Sequence, residues 1–246
     1  MERTQVILSW SGGKDSSLAL AALRSDPRVE VVALQTSVTR GYDRISIHGV
    51  RRALLEAQAA AARLPLLEVA LEPACSNEAY EAAFHAGLAA ARERFPRCET
   101  IAFGDLFLEE VRAYRERLLA PTGVRPLFPL WGEDTTALAA AFVARRFEAR
   151  LVCVDTTQLG AEFAGRAFDA RLLQDLPSTV DPCGERGEFH TFVWRAPVFA
   201  HDVPIETGEV VLREERFAYC DLLPAGTREE GRGRREEGDV ESRLIT

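Results

Sequence analysis

The chain has 246 residues, 47% hydrophobic and 28% charged, which is ample material for one large domain or two small ones. A formal net charge of −8 speaks against a broad electrostatic footprint for nucleic acid or anionic membrane, and no apolar run reaches membrane-spanning length. Five cysteines, an odd number with no C-x-x-C pair, argue against a disulfide framework or zinc ribbon; with no leader-like segment at the start, a reducing cytoplasm is expected.

In chain order, residues 5–8 form a short apolar run with a β-branched pair before a turn and read as a buried strand. Residues 15–23 carry Leu18, Leu20 and Leu23 among alanines and read as a helix. A second strand is expected over 29–34, an Ala- and Leu-rich helix over 50–64, a third strand over 66–71, and a long helix over 77–95. A fourth strand over 100–103 ends in Gly104-Asp105. Strands alternating with helices predict βαβ units and a mostly parallel sheet, an α/β domain over residues 1–125. Beyond Gly123 the pattern changes, and Pro121, Pro126 and Pro129 interrupt the chain. A helix over 135–147, a strand over 150–154, a helical stretch over 168–176 and β-rich segments over 189–194 and 209–219 predict a smaller α+β domain, residues 126–224. Residues 225–246, rich in Gly, Arg and Glu, are expected to form a disordered tail.

The stretch Ser9-Trp10-Ser11-Gly12-Gly13-Lys14-Asp15-Ser16-Ser17 joins the first strand to the first helix and contains the chain's only lysine. Glycines after a strand let the backbone approach a ligand closely, and the helix that follows offers free N–H groups and the positive end of its dipole. The hydroxyls of Ser11, Ser16 and Ser17 add donors, and Lys14 adds a compact point charge unlike the flat fork of arginine. Such a loop suits a pyrophosphate. It is not a Walker A loop, because Leu8 stands where the first glycine belongs and Asp15 follows the lysine. The plainer alternative is a tight turn with Asp15 as helix N-cap. Gly104-Asp105 follows another strand, so it can lie at the same sheet edge as Gly12-Gly13, where open α/β sheets bind ligands. Asp15 and Asp105 are then candidates to hold Mg²⁺, a hard cation that prefers oxygen; Asp105 is also a candidate helix cap. In the segment 181–192, Glu188 and His190 would share a face if extended, and a carboxylate with an imidazole can orient or deprotonate an attacking amine. A solvated hairpin with an incidental histidine is the alternative. Cys183 is expected to be a small buried or turn residue more than a nucleophile. His48, before Gly49, is a candidate phosphate contact or a capping residue, and Arg51 and Arg52 could assist an anion or lie on the surface.

The S-G-G-x-D-S pattern resembles the PP-loop ATP pyrophosphatases, which cleave ATP between the α- and β-phosphates and form adenylated intermediates. Together with Ser46-Ile47-His48-Gly49, the stretch 103–112 and the stretch 181–192, it resembles the diphthine–ammonia ligase family over about residues 5–222. That resemblance implies a Rossmann-like PP-loop domain with parallel sheet and a family-specific C-terminal substrate domain. It implies ATP and Mg²⁺ as cofactors, a small-molecule or protein carboxylate and ammonia as partners, and an ATP-dependent amide ligase working through an acyl-adenylate. Ser9, Ser11, Gly12, Gly13, Lys14, Asp15, Ser16, Ser17 and His48 are the implied nucleotide-binding set, and Lys14, Asp105, Glu188 and His190 the implied catalytic set. Here the segment reads Glu185-Arg186-Gly187-Glu188-Phe189-His190, with His190 where the diphthine-modifying members carry glutamate. The Arg- and Ala-rich composition fits a GC-rich bacterial genome, so another substrate, including a cobalamin-related one, is expected. A tRNA-modifying adenylating PP-loop enzyme and a non-catalytic ATP-binding regulator are the alternatives. Self-association as a homo-oligomer is left open.

Overall fold

In β1 (Thr4–Ser9), Val6, Ile7 and Leu8 are buried in succession, so both faces of the strand are covered, as in a central parallel strand. The computed structural model describes residues 2–41, 44 and 49–226. β1 lies between β2 (Val29–Thr39) and β4 (Thr100–Ala102), flanked further out by β3 (Leu66–Leu71) and β5 (Arg125–Leu127). The sheet order is β3-β2-β1-β4-β5, and every pairing is parallel. Helices α1 (Lys14–Ser25), α2 (Arg52–Ala62), α3 (Asn77–Arg94) and α4 (Glu109–Leu119) pack on this sheet. Alternation along β1 divides the packing: Val6 and Leu8 join Leu18, Leu20, Leu54 and Leu55, whereas Ile7 joins Phe84, Leu88, Phe103 and Leu118. The chain winds outward from β1 to β3 and then returns to β4. The reversal of strand order, where such sheets bind ligands, therefore falls between the C-terminal ends of β1 and β4.

The remaining chain forms α5 (Thr135–Ala144), β6 (Glu148–Asp155), α6 (Ala170–Asp175), β7 (Phe189–Arg195), β8 (Ile205–Arg213) and β9 (Phe217–Pro224). Its four strands make a separate antiparallel sheet in the order β7-β6-β9-β8. Leu151, Val154, Phe189, Phe192 and Val193 belong to the same core as Val6 and Leu54, so the second sheet buries its face against the α1/α2 side of the first. The α/β class and the parallel sheet are those expected from the sequence.

Several features differ from the sequence pattern, among them β2, which runs to Thr39 where a strand over 29–34 is expected. α4 was not anticipated, because Glu109 to Arg117 is charged nearly throughout; acidic Glu109 and Glu110 in the first turn, Arg117 in the last and an Arg112–Glu116 pair at 2.9 Å support it. β5 carries Pro126 and crosses the boundary expected at residue 125; as the edge strand of the sheet it tolerates a missing N–H. The β-rich segment over 209–219 is a hairpin of β8 and β9 that begins and ends further out than expected. Of the expected tail, Ala225 and Gly226 form a turn and 227–246 lie outside the described residues, as does His48. Among the described residues no helix is long and apolar enough to cross a membrane.

Candidate active site

Gly12 adopts φ +77°, and a Cβ there would lie 2.6 Å from Gln58 Oε1 and 2.8 Å from a Leu55 methyl, so both its conformation and its surroundings demand glycine. Gly13 is the N-cap of α1 and supplies no side-chain cap. The expected alternative with Asp15 as N-cap is thus not the arrangement that forms; Asp15 lies inside the first turn. The first N–H groups of a helix have no intrahelical acceptor. That of Lys14 is taken by Thr191 Oγ1 at 3.0 Å, which fixes where β7 sits on the loop. Val193 N–H donates to the Gly12 carbonyl at 2.9 Å, and buried Gln58 donates to the carbonyls of Gly12 and Val193 while accepting from Trp10 Nε1 at 3.0 Å. The loop is therefore held from below by α2 and from the side by the edge strand of the second sheet.

The serines line this turn. Ser11 Oγ accepts from Gly13 N–H at 3.2 Å and lies 3.3 Å from Ser16 Oγ, which donates to the Gly13 carbonyl. Ser17 Oγ is buried with no hydrogen-bond partner. Ser9 ends β1 opposite Gln35, whose Oε1 is also buried and unpartnered. Lys14 is 3% exposed, its ammonium 5.9 Å from the centre of the Phe189 ring and 2.6 and 2.7 Å from the two oxygens of Asp15. Burial lowers the Lys14 pKa, but the Asp15 carboxylate beside it outweighs that and holds the ammonium above its ordinary value, while burial pushes the Asp15 carboxyl up despite the ammonium.

The turn after β4 reaches the same place. A Cβ on Gly104 would lie 3.0 Å from the Asp15 carbonyl carbon and 3.1 Å from Ser16 N, so only a glycine lets this turn run against the start of α1. Asp105 follows it and is faced by Arg115 Nε of α4 at 3.4 Å, with the guanidinium over the Phe103 ring. Asp105 caps no helix, since α4 starts at Glu109 with Leu108 as N-cap. A third carboxylate enters from the segment before β7: Glu185 Oε1 accepts the Leu106 N–H at 2.7 Å. Burial pushes the Glu185 carboxyl up to about 7, against the pull of that N–H, and the nearby Asp15 charge adds to the rise.

Two buried acids hold this segment in shape. Asp181 accepts from Cys183 N–H at 2.8 Å and from Thr135 Oγ1 at 2.8 Å. Glu188 accepts from the N–H groups of Asp181 and Arg186, both at 2.9 Å, one on each oxygen. Glu188 is thereby engaged in closing the loop rather than aimed at Lys14. Cys183 is buried with its thiol pushed up to about 12, donating to the Thr135 carbonyl, as a structural cysteine does. His190 pairs across to Cys153, and alternation puts it on the face of β7 opposite Thr191, away from the Lys14 backbone contact. The structure thus brings together Ser11, Gly12, Gly13, Lys14, Asp15, Ser16 and Asp105 and adds Glu185, while both oxygens of Glu188 accept from N–H groups of its own segment. Arg51 binds Asp221 of β9, and Arg52 binds Glu68; neither points to the loop by these contacts. Two surface depressions, one beside Arg24 and Phe199 and one beside His85 and Thr122, lie away from this cluster.

Glu185, Arg115, Thr191 and Gln58 were not assigned from sequence. Glu185 lies in a segment already singled out, but nothing in the pattern tells which of two glutamates three residues apart reaches the turn after β4. Gln58 sits in an alanine-rich helix and carries no sequence signal at all.

A parallel sheet whose β1 and β4 turns converge on a buried lysine at a helix N-terminus defines a doubly wound α/β protein with its candidate site at the switch point. Residues 4–126 match the family described as Diphthamide synthase N-terminal domain, and residues 134–222 match Diphthamide synthase C-terminal domain. The chain belongs to this family, the diphthine–ammonia ligases of the PP-loop ATP pyrophosphatase superfamily, and so to an ATP-using group of ligases. No curated protein matches it.

Proposed function

We propose that the chain is an ATP-dependent carboxylate–amine ligase that cleaves ATP between the α- and β-phosphates. The observation that carries this reading is the buried, charged Lys14 in a glycine turn at the N-terminus of α1. The unpartnered Ser17 hydroxyl and the first-turn N–H groups beyond that of Lys14 suit the phosphates of ATP. In the first step a carboxylate oxygen of the substrate attacks the α-phosphorus. The bond to the bridging oxygen breaks, and its electron pair leaves on pyrophosphate. Lys14 and the first turn of α1 stabilise that developing charge. In the second step ammonia attacks the acyl carbon, AMP leaves with the C–O electron pair, and the amide forms. Glu185, with its carboxyl near neutrality, takes the proton released from the nitrogen. This reading gives that role to Glu185 in place of the Glu188–His190 pair, and gives Glu188 the task of shaping the segment.

Asp15 and Asp105 would hold Mg²⁺. Their side chains are 30% and 18% exposed, and among the described residues no group of three or more metal-binding side chains is assembled. That suits an ion which takes one or two carboxylates and completes its shell with phosphate oxygens and water, rather than an all-protein cage. When bound, the ion neutralises charge on the leaving pyrophosphate. The family match favours ATP-using ligase chemistry and lends nothing to a cobalamin-related substrate, so the acid is proposed only as a carboxylate.

The test is the nucleotide product. Purified protein is incubated with Mg²⁺-ATP, ammonium and a fractionated pool of cellular carboxylic acids, and AMP, ADP and pyrophosphate are resolved. Acid-dependent AMP with equimolar pyrophosphate is expected. ADP and phosphate would overturn the reading, and ATP bound but never cleaved by any fraction would favour the nucleotide-binding regulator.

A further inference from the structure

β8 is an edge strand, and its consecutive residues Val210, Val211 and Leu212 are 50%, 42% and 56% exposed. Side chains alternate along a strand, so apolar groups stand in solvent on both faces of this edge. Soluble proteins normally blunt such an edge with charge, proline or a bulge, because its free N–H and C=O groups template pairing with another strand. Charge stands at the two ends of the apolar run, Glu209 on one side and Arg213 on the other, and the register of β8 on β9 shifts between Thr207 and Val210, which leaves Val210 to Arg213 as the regular, unblunted part of this edge.

We infer that β8 is the contact through which two copies of this chain associate, by antiparallel pairing of β8 with its symmetry mate about a two-fold axis at Val211. The geometry selects this register. Within the regular part, Val210 to Arg213, only alternate residues turn their N–H and C=O outward, and both copies present the same alternate set, so directly opposed residues there must differ by an even number of positions. A two-fold axis at Val210 would set Val211 toward Glu209 of the irregular stretch, and one at Leu212 would set Val211 against Arg213. An axis at Val211 places Val211 against Val211 and Val210 against Leu212, and brings Arg213 toward Glu209 of the irregular stretch at both ends. Apolar residues then meet apolar ones, and each acid meets a base, which is the pairing cross-strand neighbours favour. The contact is isologous and therefore closes on itself, joining two four-stranded sheets into one continuous sheet instead of propagating as a fibre.

The experiment is sedimentation velocity on the full chain from the low to the hundreds of micromolar range, with Glu209→Arg and Arg213→Glu variants measured alone, combined in one chain, and mixed with each other. Circular dichroism confirms that each variant is folded; both positions are exposed. The unaltered chain is expected to dimerise, and each single reversal to weaken dimerisation by about 10-fold or more, since it sets like charges opposite each other at both ends. The doubly reversed chain, and the one-to-one mixture of the two single variants, are expected to dimerise again. A monomer throughout the range, a dimer indifferent to both reversals, or a loss that neither the double change nor mixing restores would each overturn the inference.

Discussion

Glu185 shows how one carboxylate acquires a different role from its neighbours. Glu188 spends both oxygens on backbone N–H groups of its own segment and Asp181 divides its oxygens between such N–H groups and the Thr135 hydroxyl, whereas Glu185 reaches across to Leu106 beside Asp105. Its carboxyl is raised from an ordinary 4.5 to about 7 by burial above all. The folded protein therefore holds that proton more tightly than the unfolded chain does. The resulting stabilisation is complete below about pH 4.5 and is lost as pH rises through about 7. Glu185→Gln keeps an oxygen for the Leu106 N–H and removes the titration. Without nucleotide, its thermal stability should match that of the unaltered protein near pH 4 and exceed it at pH 8, by up to about 2 kcal/mol. Under the proposed mechanism the same change should depress AMP formation by roughly 100-fold or more, the usual contribution of a general base. A variant no more stable at pH 8 would show that Glu185 is not held in a desolvated place.

At the scale of elements, the join between α2, the glycine loop and β7 rests on one side chain. Gln58 satisfies the carbonyls of Gly12 and Val193 and the indole N–H of Trp10, all buried. Gln58→Leu fills similar space without polar atoms and leaves the Trp10 donor unpaired. It should cost about 2–4 kcal/mol, seen as a lower urea midpoint, and weaken ATP binding by loosening the loop. A neutral result would mean that the loop keeps its form without α2. The β8–β9 hairpin turn carries Glu214 and Glu215 at φ 52° and 51°, values that glycine and asparagine adopt more readily. Glu215→Gly should therefore raise the melting temperature, by an amount equivalent to about 1 kcal/mol. The same turn explains why a hairpin was not legible over 209–219: its sequence lacks the Asn-Gly or Asp-Gly signal. β1 and the glycine loop were legible because a three-residue buried run followed by two glycines has few other uses. α4 was hidden by its charge, and Gln58 by its ordinary surroundings, since both are settled by tertiary packing rather than local pattern.

Over the whole molecule, the two sheets share one core, and the second sheet contributes its edge to the nucleotide loop through Thr191 and Val193. Stability of the second sheet should thus be felt at the site. Asp155, at the end of β6, accepts from Thr157, Gln158 and both ends of the Arg216 guanidinium. Chiefly the Arg216 hydrogen bonds hold its carboxyl far below the usual 3.8, so it contributes stability above that pH that is lost as pH falls toward the folded value. Asp155→Asn should cost about 2–3 kcal/mol at pH 7 and progressively less as pH falls below about 4, measured by chemical denaturation across that range. The central claim is that the turn around Lys14 is the phosphate seat of ATP, and calorimetric titration with Mg²⁺-ATP and with Mg²⁺-pyrophosphate tests it without knowledge of the acid. The expected result is that pyrophosphate competes with ATP for one site and that Lys14→Ala weakens both by roughly 10-fold or more, a loss that Lys14→Arg does not repair because a planar guanidinium does not fit the slot of a buried ammonium. Undiminished ATP affinity in a folded Lys14→Ala protein would contradict it.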